Sequence, residues 1–104
     1  MTRISVKLVL KPVFGFRGSK SHTIKLPSNA STGYSWERRE CYCPSIISDS
    51  HRYVQFPGPP GTGGEEIWTF TALDKGDEIV KLVYAQGTSP DDLHDEIEIH
   101  FIVS

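Results

Sequence analysis

The tightest constraint on the fold is alternation at a period of two. The C-terminal stretch EIEIHFIVS places Ile97, Ile99, Phe101 and Val103 on one face of an extended chain, because successive side chains of a strand point to opposite sides. Ile4, Val6, Leu8 and Leu10 alternate in the same way with Ser5, Lys7 and Val9, and Ile24 and Leu26 alternate with Thr23 and Lys25. Tyr34 and Trp36 share a face in GYSWERRE, and IWTFTAL, from Ile67 to Leu73, supplies a further core strand. The run EIVKLVYA is apolar on both faces around Lys81, as a strand in the middle of a sheet should be. None of these segments carries a helical stripe. Between them fall PSNASTG, FPGPPGTGG, LDKGD and QGTSPDD, all turn chemistry.

Short strands separated by such breakers predict an all-β chain, an immunoglobulin-like β-sandwich with Greek-key connections and about seven to eight strands. The distant cysteine pair flanking a Trp that marks true immunoglobulin domains is absent, so the expectation concerns architecture alone. Residues 11 to 21 read as a connection, with Gly15 and Gly18 admitting tight turns. Residues 41 to 52 read as irregular or as a short helical turn.

A length of 104 residues predicts one domain, residues 1–104, with one core. Eleven Lys plus Arg against 13 Asp plus Glu leave a net charge of −2, which speaks against a nucleic-acid partner. The opening MTRISVKLVLKPVFGF holds Arg3, Lys7 and Lys11 and no apolar run of signal-peptide length, and the apolar runs elsewhere are too short to span a bilayer. The expectation is therefore a protein without a membrane partner, cytoplasmic by default, with secretion or a vesicular location left open because a signal removed earlier leaves no trace. Cys41 and Cys43 stand two apart in ECYCPS, too close and too few for a disulfide framework. Zinc needs about four ligands, so this pair would have to recruit distant residues such as His22, His51, His94 or His100. No second paired motif supports that, and the reading is one buried and one exposed thiol, with no metal and no cofactor. No Ser-His-Asp, Cys-His or paired-carboxylate arrangement emerges from spacing, so no catalytic residues are assigned. The run DDLHDE reads as a solvated loop.

GPPGTGGEE, residues 58–66, has the glycine spacing of a phosphate loop at Gly58 and Gly63. Gly64 and Glu65 then occupy the positions of the Lys and the Ser or Thr, and Glu66 follows, so anions stand where phosphate charge would sit. The continuation EEIWTFTAL favours a strand over the helix whose N-terminus would face a phosphate. A nucleotide is therefore not the expected ligand.

LPSNASTGYSW, residues 26–36, resembles the first signature of chagasin-family inhibitors of papain-like cysteine peptidases, N-P-T-T-G-[YF] with a Trp two residues on. Asn29, Thr32, Gly33, Tyr34 and Trp36 match it, while Ala30 replaces Pro and Ser31 replaces Thr. The family's G-x-G-G motif is similar to Gly61, Thr62, Gly63 and Gly64 ahead of EEIWTF. A third motif, R-P-[WF], should follow Tyr84, but Gln86, Gly87 and Thr88 stand there. The resemblance runs from about Ser21 to Val103.

The resemblance implies a reversible, non-covalent inhibitor, presumed monomeric in its action on papain-like cysteine peptidases, whose loops 28–34, 58–65 and 85–92 occlude the active-site cleft. Contacts would then come from Asn29, Ala30, Ser31, Thr32, Gly33, Tyr34, Gly61, Thr62, Gly63, Gly64, Gln86, Gly87 and Thr88, with Thr32 offering its hydroxyl to the catalytic His or Cys. Taken as residues alone, Asn29 and Ser31 can close Asx- and ST-type turns, and Gly33, like Gly61, Gly63 and Gly64, allows close backbone approach. The phase of Tyr34 and Trp36 places them in the core, whereas Trp68, out of phase with Ile67, is ambiguous. Asn29 in N-A-S is formally a glycosylation acceptor, read as accidental because a sugar would block the wedge. Loss of the Arg and the aromatic removes two common anchor types from the third loop. That loss supports an alternative: an immunoglobulin-like protein-binding or adhesion module whose peptidase target has been lost or changed.

Overall fold

Strands with one apolar face need a second layer to cover it, and the chain supplies two sheets. The structure, a computed structural model, describes residues 2–11, 18–39, 45–86 and 93–104. Its strands are β1 (Thr2–Leu8), β2 (Ser21–Ser28), β3 (Ser35–Arg39), β4 (Ile47–Gln55), β5 (Gly64–Ala72), β6 (Gly76–Ala85) and β7 (Leu93–Val103). One sheet has the order β1-β7-β6-β3 and the other β2-β5-β4. Among the described residues only β1 and β7 pair in parallel, with Ile4 opposite Ile99 and Leu8 opposite Val103; the other pairings are antiparallel. The fold is an all-β, immunoglobulin-like sandwich, as the alternation implies.

The core lies where the two inner faces meet. Leu26, Trp68, Phe70 and Ala72 from the smaller sheet pack on Trp36, Val80, Leu82, Ile99, Phe101 and Val103 from the larger. Phe70 and Phe101 meet across the layers with ring centroids 5.1 Å apart, a tilted geometry that suits the ring quadrupoles. β6 lies between β7 and β3, and of its outer-face apolar residues Val83 is buried, whereas Ile79 near its start remains 54% exposed.

One expectation is corrected and one ambiguity is resolved. The region 41–52 is not irregular or helical where it is described: Ile47–Gln55 forms β4, although the segment SDSHR lacks β-branched and large apolar residues. Its pairing with β5, Ile47 opposite Ala72 through Gln55 opposite Gly64, overrides that weak local preference. Trp68, left ambiguous by sequence, is 1% exposed, because the buried phase of β5 is Gly64, Glu66, Trp68, Phe70 and Ala72 rather than that of Ile67. His51, opposite it on β4, stacks on its ring at 4.1 Å. Cys41, Cys43, Gly15 and the run 12–17 lie outside the described residues.

Two polar bridges tie the sheets together. Arg38 of β3 donates from Nη2 to Glu78 Oε2 of β6 at 2.6 Å and from Nη1 to Asp49 Oδ2 and the Ile47 carbonyl of β4 at 2.9 and 2.8 Å. Nearer the other end, Glu66 of β5 is 3% exposed. Its Oε2 accepts from the Ser28 hydroxyl at 2.7 Å and the Trp36 backbone N–H at 3.0 Å, and its Oε1 from Trp68 Nε1 at 3.3 Å. One carboxylate thus joins β2, β5 and β3, and satisfies donors that have no water to turn to.

Removing those acceptors should be costly, since each buried donor left unpaired costs about 1–3 kcal/mol. Glu66→Ala is expected to destabilise the sandwich by roughly 3 kcal/mol or more, whereas Glu66→Gln keeps one oxygen, places an amide against the Trp68 N–H, and should cost about 1–2 kcal/mol. Urea denaturation of the three proteins measures this ranking; equal midpoints for Glu66→Ala and the parent would show that the carboxylate is dispensable.

Candidate functional site

Register decides which loops are neighbours. Ser28, Gly64 and Gln55 lie in one row of the smaller sheet, and Ser35, Ala85 and Leu93 in one row of the larger. The β2–β3, β4–β5 and β6–β7 connections therefore emerge at the same end of the sandwich, where two segments that resemble inhibitor motifs stand side by side. Of the third connection, Gln86 is described, while Gly87 and Thr88 lie outside the described residues.

The first loop, 29–34, is a single turn of 3₁₀ helix over Ala30–Thr32, capped by Asn29 and closed by Gly33. Asn29 Oδ1 accepts from the Ser31 N–H at 3.1 Å and the Ser31 hydroxyl at 2.6 Å. The Asn29 carbonyl accepts from the Thr32 N–H at 3.1 Å and the Thr32 hydroxyl at 2.7 Å. Thr32 Oγ1 in turn accepts from the Tyr34 N–H at 3.3 Å. Gly33 has φ 81°, the left-handed region that costs a non-glycine residue energy, and its N–H reaches the Ala30 carbonyl at 3.3 Å. This is the Asx-type turn chemistry expected of Asn29 and Ser31, and it leaves Ala30, Ser31 and Thr32 exposed at the tip.

Side chains from other strands hold this turn from below. The Tyr84 hydroxyl accepts from the Asn29 N–H at 2.9 Å, and the Tyr53 hydroxyl from the Ala30 N–H at 3.4 Å. Tyr84 also stacks on Tyr34 at 5.5 Å and lies 5.1 Å from Trp36. Trp36, 3% exposed, belongs to the core, and its Nε1 donates to the Pro27 carbonyl at 3.0 Å. Tyr34 is only half-buried and precedes β3, so the shared phase with Trp36 carries it to the margin of the core rather than into it.

The second loop crosses between β4 and β5. Thr62 donates its N–H and its hydroxyl to the Pro59 carbonyl at 3.1 and 2.6 Å. With Pro60 at the second position and Gly61 at φ 89° in the third, this is a type II turn, which requires the positive angle Gly supplies. The glycines do not all face outward. Gly61 and Thr62 are exposed, but Gly63 and Gly64 are buried. A Cβ at Gly64 would collide with the Val54 carbonyl oxygen and come within 2.9 Å of the Tyr53 hydroxyl, so this glycine serves the closeness of β4 and β5.

Asn29 joins the two loops: its Nδ2 donates to the Gly61 carbonyl at 3.0 Å. Nδ2 is also the atom a glycan would occupy, so the sequon's nitrogen is already used to hold loop to loop. Between the loops an open depression of about 420 Å³ is lined by Asn29, Trp36, Phe56, Gly63, Tyr84 and Asp95. The supports at Glu66, Tyr53 and Tyr84 were not singled out by sequence reasoning. Glu66 had a legible signal, an acidic residue in phase with Trp68 and Phe70, whereas the tyrosines, far away in the chain, had none.

A family model described as chagasin family peptidase inhibitor I42 matches residues 17–103. Comparison with curated protein sequences gives no match. Among solved structures, the solution structure of amebosin is similar over 100% of this chain and 99% of its own, with a TM-score of 0.70 and 21% identity. The crystal structure of the cysteine protease inhibitor EhICP2 from Entamoeba histolytica is similar over 99% of this chain and 88% of its own, with a TM-score of 0.72 and 18% identity. At those identities the two likenesses speak for the fold. The family match, which spans all three loops at the loop-bearing end of the sandwich, shows that this chain belongs to the chagasin family of peptidase inhibitors and is not an enzyme.

Proposed function

We propose that the chain is a reversible, non-covalent inhibitor of papain-like cysteine peptidases, acting as a monomer that fills the active-site cleft with the loop-bearing end of its sandwich. The observation that carries this reading is the first loop: an exposed turn whose polar groups are largely satisfied from within and from neighbouring strands. Such a wedge loses little conformational freedom on entering a cleft, which removes one of the main costs of association. Its tip, Ala30, Ser31 and Thr32, carries only small side chains and suits a narrow groove.

The hydrogen bonds refine what Thr32 can do there. Its hydroxyl proton is directed to the Asn29 carbonyl, so donating it to a peptidase would break the bond that closes the turn. The oxygen keeps acceptor capacity beyond the Tyr34 N–H, so Thr32 can receive a proton from a peptidase donor without that loss. Acceptance is thus the role the free geometry favours. In the second loop Gly61 and Thr62 are exposed and would touch a partner, with Gly63 and Gly64 buried beneath them. The alternative, a protein-binding or adhesion module with another target, draws on the missing Arg-Pro-aromatic motif. Titration of papain and of a cathepsin L-like peptidase with the purified protein separates the two: stoichiometric loss of activity supports inhibition, and undiminished activity with a folded chain supports the other module.

Inhibition is expected to proceed without cleavage. The 3₁₀ turn holds 30–32 away from the extended backbone that a peptidase cuts. Mass spectrometry after prolonged incubation with an equimolar peptidase should recover the intact chain; rapid cutting between Asn29 and Tyr34 while inhibition lasts would mean a substrate-like mechanism instead.

Gly33→Val is expected to weaken inhibition about tenfold or more while largely sparing the thermal melt. Val at φ 81° is strained, a cost of roughly 1–3 kcal/mol that reshaping the loop can relieve, and its Cβ would stand 2.9 Å from Gln86 Nε2. Inhibition constants measured beside melting curves test the division; a variant that inhibits like the parent would show that the turn's shape is not what the peptidase reads.

A further inference from the structure

Gln86 stands where the family resemblance calls for an arginine that would reach outward, yet its side chain turns toward the first loop. Nε2 donates to the Thr32 carbonyl at 3.2 Å. Its amide end also lies close to Gly33: a Cβ built there would be 2.9 Å from Nε2, 3.6 Å from Cγ and 3.7 Å from Cδ. The missing side chain of Gly33 therefore makes room for Gln86 as well as permitting φ 81°. Two residues earlier, in β6, Tyr84 accepts from the Asn29 N–H. The end of β6 and the residue that follows it thus support the first loop at both of its ends, Tyr84 at the entry and Gln86 at the exit.

We propose that Gln86 is a positioning residue, which fixes the exit of the first loop through the Thr32 carbonyl and so sets the shape offered to a peptidase. The proposal rests on the inhibitor reading for its effect on affinity, but the brace itself exists in the free protein. A neutral amide suits the task. It supplies an N–H to the carbonyl with no charge to be solvated, and its length spans the gap from β6 to Thr32 with the glycine between them. Gln86 thereby acts within the chain, and the third loop gives the first loop order in place of an outward cationic anchor.

Two substitutions isolate the bond. Gln86→Met keeps the length and loses the donor, and Gln86→Glu keeps the shape but turns a carboxylate toward the carbonyl. Amide hydrogen exchange is measured by NMR in the free proteins, and inhibition constants against papain are measured in parallel. Gln86→Met is expected to speed exchange of the Gly33 and Tyr34 amides about fivefold, the scale of one net hydrogen bond, and Gln86→Glu at least as much. Core amides such as Leu82 and Phe101 should exchange as in the parent. The inhibition constant should rise by no more than loop exchange does, and by as much only where the open loop predominates, since affinity falls with the fraction of molecules in the competent shape. Unchanged loop exchange in both variants would overturn the proposal, as would weakened inhibition with unchanged exchange, which would make Gln86 a direct contact. Faster loop exchange in a protein that inhibits no peptidase would discard the inhibitor reading and still uphold the brace.

Discussion

Much of the loop-bearing end depends on a single buried carboxylate. Glu66 accepts from the Ser28 hydroxyl, the Trp36 N–H and the Trp68 indole, and these residues lie on β2, β3 and β5. Ser28 is the last residue before the first loop, and Trp36 follows two residues after it ends. Both stems of the loop are thereby fixed to the strand that leaves the second loop. A sandwich held by apolar packing alone would tolerate some sliding of one sheet over the other, because hydrophobic burial has no direction. Three directed hydrogen bonds to one group restrict that freedom where the loops need it restricted.

From this anchor the support is passed outward by side chains that act on backbone groups. Tyr84 and Tyr53 hold the N–H groups at the start of the 3₁₀ turn, Asn29 reaches the Gly61 carbonyl of the second loop, and Gln86 reaches the Thr32 carbonyl. Side chains that bind backbone demand little of the residues they hold beyond a free N–H, which Ala30 offers to Tyr53 and the Pro of the family signature would lack. The tip at Ala30 and Ser31 can therefore depart from the Pro and Thr of the family signature while the turn survives, since the Asn29 cap and the Gly33 angle close it. The conformation of the wedge is carried by its frame, and its tip is available for recognition.

Much of the sandwich was legible in the chain because alternation is a local property. Ile97, Ile99, Phe101 and Val103 announce a strand, and of these Ile99, Phe101 and Val103 are buried as that phase requires. β4 was not legible, since SDSHR has little strand preference of its own and adopts its form from the register with β5. Trp68 was left ambiguous for a related reason. Ile67 and Trp68 are both apolar, so β5 offers two phases, and the choice falls to whichever face meets Leu26, Trp36 and Phe101 across the sandwich.

The candidate site divides along the same line. Asn29, Ser31, Thr32 and Gly33 specify their turn by short-range hydrogen bonds and one positive angle, so residues 26–36 carry the turn type and its likeness to the family motif. Gly61 likewise determines its type II turn together with Pro60. What Glu66, Tyr53, Tyr84, Gly64 and Gln86 do was decided by tertiary structure alone. Their partners lie many residues away, and only the pairing of strands and the meeting of sheets brings a carboxylate, two phenols, a bare backbone and an amide beneath one turn.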